Sequence, residues 1–66
     1  MTTAIEQKIM ENLRIDDDIA KLIFTTDYVF ARQMFNLNHI GVHHNADYAI
    51  SWIILYLIDK CGYKRR

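Results

Sequence analysis

The chain has 66 residues, which is enough for one domain (residues 1–66) and too few for a second. Eight basic and eight acidic side chains balance, so net charge does not mark the chain as a binder of polyanions. Proline is absent, glycine occurs twice and cysteine once, which argues against a turn-rich β-domain and against a disulfide scaffold. The composition predicts an all-α bundle of three to four short helices in a reducing, cytoplasmic compartment.

The first predicted helix covers about residues 3–14, and Thr2 or Thr3 is its candidate cap. Its apolar residues recur every four positions and therefore share one face. These residues are Ile5, Ile9 and Leu13. The remaining positions of this stretch are mostly polar, as expected for a helix with one buried side.

A run of three aspartates, Asp16, Asp17 and Asp18, precedes the second predicted helix at about 17–24. Aspartate suits a helix start because its carboxylate accepts bonds from backbone N–H groups that have no partner within the helix. An acidic metal site is the alternative, but the run lacks the glycine that turns a calcium-binding loop. Helix capping is therefore the predicted role.

Thr25 or Thr26 is the candidate cap of a third helix over about 27–37. With this break, residues 19–32 have the approximate spacing of a helix-turn-helix, whose second helix enters the major groove of DNA. Asp27 would open that second helix with a negative charge, which phosphates repel. A small DNA-binding transcriptional regulator is therefore the alternative prediction for function.

The fourth predicted helix, at about 46–60, lies between a candidate cap, Asn45, and Gly62 just past its end. It is apolar around its whole circumference, and such a helix must be surrounded. One side carries Tyr48, Trp52, Leu55 and Tyr56, and the other carries Ile50, Ile54 and Leu57. Because three short helices could hardly enclose it, these seven residues are the predicted interface of a homodimer or of a complex with a larger protein.

Charged residues cluster in the acidic turn, Asp16–Asp18, and in a basic tail over 63–66. The basic side chains of that tail are Lys64, Arg65 and Arg66. A solvated turn and a solvated tail explain both clusters. The functional alternative is that they select a charged partner or orient a dimer.

His39, His43 and Asp47 are spaced i, i+4 and i+8, so they are weak candidates for a metal site on a continuous helix. Gly41 makes such a helix doubtful, and the glutamate of the helical zinc-protease motif is missing. The sequence contains no glycine-rich phosphate loop and no cofactor fingerprint. No enzyme activity, no metal and no cofactor are therefore predicted.

The apolar run Tyr48–Ile58 is shorter than the about 20 residues that cross a bilayer, so no stable membrane insertion is predicted. The predicted function is that of a small regulatory or inhibitory module that binds a larger host or regulatory protein. Small chains without chemistry of their own are often adaptors, inhibitors or products of phages and other mobile elements. That association extends the prediction to a phage-encoded protein.

Overall fold

A computed structural model describes residues 4–66, so the caps predicted at Thr2 and Thr3 lie outside the described residues. The described chain forms three helices, which confirms the all-α class. They are α1 (Ala4–Glu11), α2 (Asp18–Asn38) and α3 (Ala46–Cys61).

α1 ends at Glu11, earlier than the predicted end at residue 14, because the chain there turns to meet the C-terminal segment. Leu13 forms an isolated antiparallel bridge with Arg65 instead of continuing the helix. Its side chain is nevertheless fully buried, as is that of Ile9. The apolar pattern of this stretch therefore identified Ile9 and Leu13 as buried, but it missed the burial of Glu6 and the end of the helix.

The helices predicted over 17–24 and 27–37 are one continuous helix, α2, so the predicted break between them was wrong. The hydroxyl of Thr25 does not cap a new helix. It donates to the carbonyl of Lys21 at 3.0 Å, the bond to residue i−4 that threonine makes inside a helix. No glycine or proline occurs in α2 to interrupt it.

α2 begins where the aspartate run predicts. Asp17 is the N-cap, and its carboxylate accepts a bond from the backbone N–H of Ala20 at 2.7 Å. Such a cap stabilises a helix by about 1 kcal/mol. The structure thus confirms the capping role for this aspartate.

The bounds of α3 match the prediction to within one residue. The side chain of Asn45 accepts a bond from the backbone N–H of Tyr48 at 2.8 Å. Gly62 ends the helix with a φ of +80°, in the left-handed region that glycine enters without strain. Both predicted caps of this helix are confirmed.

α3 is the central helix, because α1 and α2 each pack mainly against it and only weakly against each other. Its buried residues join those of the other segments in one core. That core comprises Ile9, Leu13, Ile15, Phe24, Tyr28, Ala31, Ile50, Ile53, Ile54 and Leu57. The central position explains why α3 is apolar on several sides, since burying one such side chain contributes about 1.5–3 kcal/mol.

The C-terminal residues run back along the end of α1 and are fixed there by hydrogen bonds. The backbone N–H of Arg14 donates to the carbonyl of Lys64 at 2.9 Å, and that of Arg66 donates to the carbonyl of Asn12 at 3.2 Å. Nε of Arg66 donates to the carbonyl of Leu13 at 2.8 Å. The predicted basic tail is therefore tied to the body of the protein through its backbone and one guanidinium.

Candidate functional site

The aliphatic half of the predicted α3 interface lies in the core. Ile50, Ile54 and Leu57 are 9%, 5% and 0% exposed. A partner cannot reach these side chains in the folded chain, so the structure removes them from the predicted interface. Their burial follows from the position of α3 between the other two helices, which the pattern of one helix does not reveal.

The aromatic half of that predicted interface lies largely in the seam between α2 and α3. Trp52 and Tyr56 stack with their ring centroids 5.5 Å apart, and both are half-buried. Phe35 of α2 meets Trp52 edge-on at 5.4 Å, and Phe30 lies 6.4 Å from Tyr56. Large exposed areas remain on two of the seven predicted residues, Leu55 at 58% and Tyr48 at 44%.

A shallow groove of about 640 Å³ follows the outside of α3. Trp52, Leu55, Tyr56, Ile58, Asp59 and Lys60 line it. Because these residues all belong to one helix, the groove is a surface depression between side chains and encloses no ligand volume. It contains the most accessible part of the interface predicted on α3.

The largest exposed apolar surface lies on α2, where the sequence pattern did not predict an interface. Six large apolar side chains of this helix are between 50% and 72% exposed. At 100° per residue they span one arc, which we call the outer face of α2. The outer face consists of Ile19, Leu22, Ile23, Val29, Phe30 and Leu37, with Thr26 and Gln33 between them.

No charged residue of α2 falls within the arc of the outer face. The charged residues of this helix are Asp18, Lys21, Asp27 and Arg32. The opposite side of the helix carries the buried residues Phe24, Tyr28 and Ala31, which face the core. A solvated helix face is normally polar, so α2 has a second apolar face, which residues 4–66 leave largely uncovered apart from the contact of Phe30 with Tyr56.

The outer face escaped prediction because the supposed break at Thr25 and Thr26 divided it between two short helices. Ile19, Ile23, Phe30 and Leu37 align only when residues 18–38 form one helix. The signal that could have revealed it is the absence of glycine and proline from this stretch.

His39 and His44 belong to an aromatic cluster at the connection between α2 and α3. Nδ1 of His39 lies 2.8 Å from the carbonyl oxygen of Phe35, so this nitrogen carries the proton and donates it. The His39 ring stacks on the Phe35 ring with centroids 4.2 Å apart, and His44 stacks on Tyr48 at 4.3 Å. These contacts give His39 and His44 a structural role at the end of α2.

The proposed spacing of His39, His43 and Asp47 does not form a metal site. α2 ends at Asn38 and α3 starts at Ala46, so the three residues are not on one helix. Among residues 4–66, no group of three or more His, Cys, Asp or Glu side chains is arranged to hold a metal ion.

The two charged clusters lie at the same end of the molecule. Arg65 is bridged to Leu13, and Asp16 follows Leu13 by three residues, a reach of about 10 Å at most. Asp16, Asp17 and Asp18 are exposed, and so are Lys64, Arg65 and Arg66. The clusters therefore neighbour each other and do not form separate acidic and basic ends.

The predicted helix-turn-helix is absent, because residues 19–32 lie within α2 and contain no turn. Asp27, the expected first residue of the recognition helix, is half-buried in the middle of α2. Its carboxylate accepts a 2.7 Å hydrogen bond from the hydroxyl of Tyr63. This segment offers no recognition helix to a DNA groove.

Burial, together with Asp27, shifts the ionisation of two side chains close to it. Burial, the hydrogen bond to Asp27 and the negative charge of that residue raise the pKa of Tyr63. Burial and the same charge raise the pKa of the Cys61 thiol. Because the thiolate is the reactive form, this environment makes Cys61 a poor nucleophile at neutral pH.

None of the helices in residues 4–66 combines the length and the apolarity needed to cross a membrane. Comparisons of the chain with protein-family models, with curated proteins and with solved structures give no match.

Proposed function

We propose that this protein is a small non-enzymatic regulatory module that acts by protein–protein contact, and that its contact surface is the outer face of α2. The observation that carries the proposal is the exposure of six large apolar side chains along one helix without a charged residue among them. This surface replaces the one predicted on α3, most of which packs inside the chain.

The size of the outer face supports a role in binding. Its six apolar side chains expose roughly 700 Å² together, above the about 300–600 Å² of the largest patch on a typical monomer. A standard interface buries about 800 Å² on each partner. The outer face therefore has the area that one side of a specific complex needs.

The form of the face favours a helical partner. Its apolar side chains follow a nearly straight line along α2, the arrangement by which amphipathic helices dock into grooves or onto other helices. A partner with a complementary apolar helix would bury these side chains without facing a charge.

Four of the residues capable of chemistry have surroundings that suit structure better than reaction, which supports binding over catalysis. His39 and His44 stack on aromatic rings, and Asp27 bonds to Tyr63. The raised pKa of Cys61 keeps it as a thiol. The proposal extends to a cytoplasmic, inhibitory or regulatory role, and to phage origin by association alone.

The test is capture of partners from cells that contain the protein, using a tagged wild-type chain and two matched variants. Leu22→Lys changes the outer face, and Leu55→Lys makes the same change on α3. Both leucines are exposed, at 72% and 58%, and each lies four residues from an aspartate. The two variants therefore retain the core and carry the same added charge.

We expect wild type and Leu55→Lys to capture the same protein, which Leu22→Lys fails to retain. Circular dichroism would verify that both variants are folded. Equal capture by all three chains, or capture lost only with Leu55→Lys, would contradict the proposed surface.

A further inference from the structure

We infer that the outer face of α2 is covered by a second copy of this chain, whose α2 lies antiparallel to the first. The inference rests on the proposed function, because it names the partner of the same surface. Spacing, area and charge along α2 each support it.

The outer face has the spacing of a coiled-coil seam. Six of its positions follow one another at alternating steps of four and three residues along α2. They are Ile19, Ile23, Thr26, Phe30, Gln33 and Leu37. This is the alternation that lets side chains of one helix fit between those of another over several turns.

Two identical faces can pack against each other about a twofold axis, because each copy then makes the same contacts with its partner. Two outer faces together expose roughly 1,400 Å², which is the most that their contact could bury and lies within the about 1,200–2,000 Å² of a standard interface. α2 is about 31 Å long at the usual helical rise, and the longest dimension of the protein is 37 Å. A second copy can therefore lie along nearly the whole molecule.

The aspartate run favours one orientation of the two copies. A parallel pair would place Asp16, Asp17 and Asp18 of both copies side by side, with Lys21 and the neighbouring basic tail as the charges that offset the six exposed carboxylates. An antiparallel pair separates the two runs by about 30 Å, well beyond the Debye length of about 8 Å at physiological ionic strength. Like-charge repulsion therefore favours the antiparallel arrangement.

In this arrangement Ile19 of one copy lies opposite Leu37 of the other, and Thr26 lies opposite Phe30. The acidic start of each α2 lies beside the end of its partner near Asn38, where the helix carries no acidic residue in its last turns. No charged residue of α2 lies in the contact between the two copies.

The test uses two chains in which Cys61 is replaced by serine and one cysteine is introduced. One carries Ile19→Cys and the other Leu37→Cys, at positions 71% and 64% exposed. Each chain is oxidised in air alone and in an equal mixture, and the products are identified by mass. A Leu55→Cys chain, altered at a 58% exposed position on α3, is the control.

We expect a disulfide-linked pair in the mixture, joining the Ile19→Cys chain to the Leu37→Cys chain, and little or none from any chain alone. Efficient pairing of the Ile19→Cys chain with itself would show a parallel arrangement and overturn the inference. Absence of disulfides from every sample would overturn it as well, because no second copy then lies on the face. If that absence accompanied partner capture that depends on Leu22, the second copy would be rejected and the proposed function would stand.

Discussion

Phe24 and Phe30 are two phenylalanines of the same helix, one in the core and the other largely in contact with water. Phe24 is fully buried and meets the rings of Tyr28 and Tyr63 edge-on, with centroids 6.1 and 5.9 Å away. Phe30 is 53% exposed on the outer face. Their contrast shows that position around α2, and not hydrophobicity alone, determines what a residue contributes to stability.

We expect Phe24→Ala to lower the free energy of unfolding by about 3–5 kcal/mol, because it leaves a cavity in the core. Phe30→Ala should cost about 1 kcal/mol or less, since most of the ring already contacts water. Urea unfolding of dilute protein, followed by circular dichroism, measures both. Equal losses of unfolding free energy in the two variants would contradict the orientation of α2, in which Phe24 faces the core and Phe30 faces water.

Ionisation of Tyr63 should lower the stability of the fold at alkaline pH. Its folded pKa is raised above the ordinary value of 10, by burial and by the bond to Asp27. The folded state therefore favours the neutral phenol, whose stabilisation is complete below pH 10 and is lost as the pH rises further.

We expect the melting temperature of the wild-type protein to fall more steeply than that of Tyr63→Phe as the pH rises above 10. The variant keeps the ring but has no group to ionise, and the other tyrosines contribute equally to both proteins. Parallel melting curves across this range would show that the Tyr63 hydroxyl is not held by Asp27.

At the scale of elements, α2 shows where a local pattern misleads. Thr25 and Thr26 have the composition of a cap, but burial of Phe24 and Tyr28 on one face requires the helix to continue between them. In the sequence, a break at Thr25 and Thr26 and an uninterrupted helix both agree with the local helix propensity. Packing against α3 decides between them, and a neighbouring helix is not visible in the pattern of 18–38.

Asp17→Ala and Thr25→Ala test the continuity of α2. Asp17 is a true cap, so its replacement should cost about 1 kcal/mol of stability. Thr25 lies inside the helix, where alanine is the better helix former, so Thr25→Ala should be neutral or stabilise by a few tenths of a kcal/mol. Thermal melts measure the stability of both variants. If Thr25→Ala lost as much stability as Asp17→Ala, position 25 would act as a cap and the predicted break in the helix would be restored.

α3 shows the opposite case, in which the sequence predicts the element well. Asn45 and Gly62 mark its two ends, and both act as caps in the structure. Its apolar circumference correctly predicts that most of its sides are covered, and Leu55 and Tyr48 mark the part that stays exposed. The pattern cannot tell whether α1 and α2 or a partner surround it, so core residues such as Ile54 were assigned to an interface.

At the scale of the whole molecule, the arrangement of helices moves the unpartnered apolar surface from α3 to α2. α3 is enclosed because it lies between α1 and α2, whereas α2 packs on one side only. A chain of 66 residues has too little interior to bury two faces of a 21-residue helix. The outer face must therefore stay in water or be covered by another chain.

The mass of the protein in solution, measured by light scattering over a series of concentrations, tests whether α2 is the surface of association. Wild type and Leu55→Lys should both approach twice the 7.9 kDa mass of the chain, and Leu22→Lys should remain at the mass of one chain. A monomer mass for all three at high concentration, or a dimer broken by Leu55→Lys and not by Leu22→Lys, would contradict self-association through the outer face.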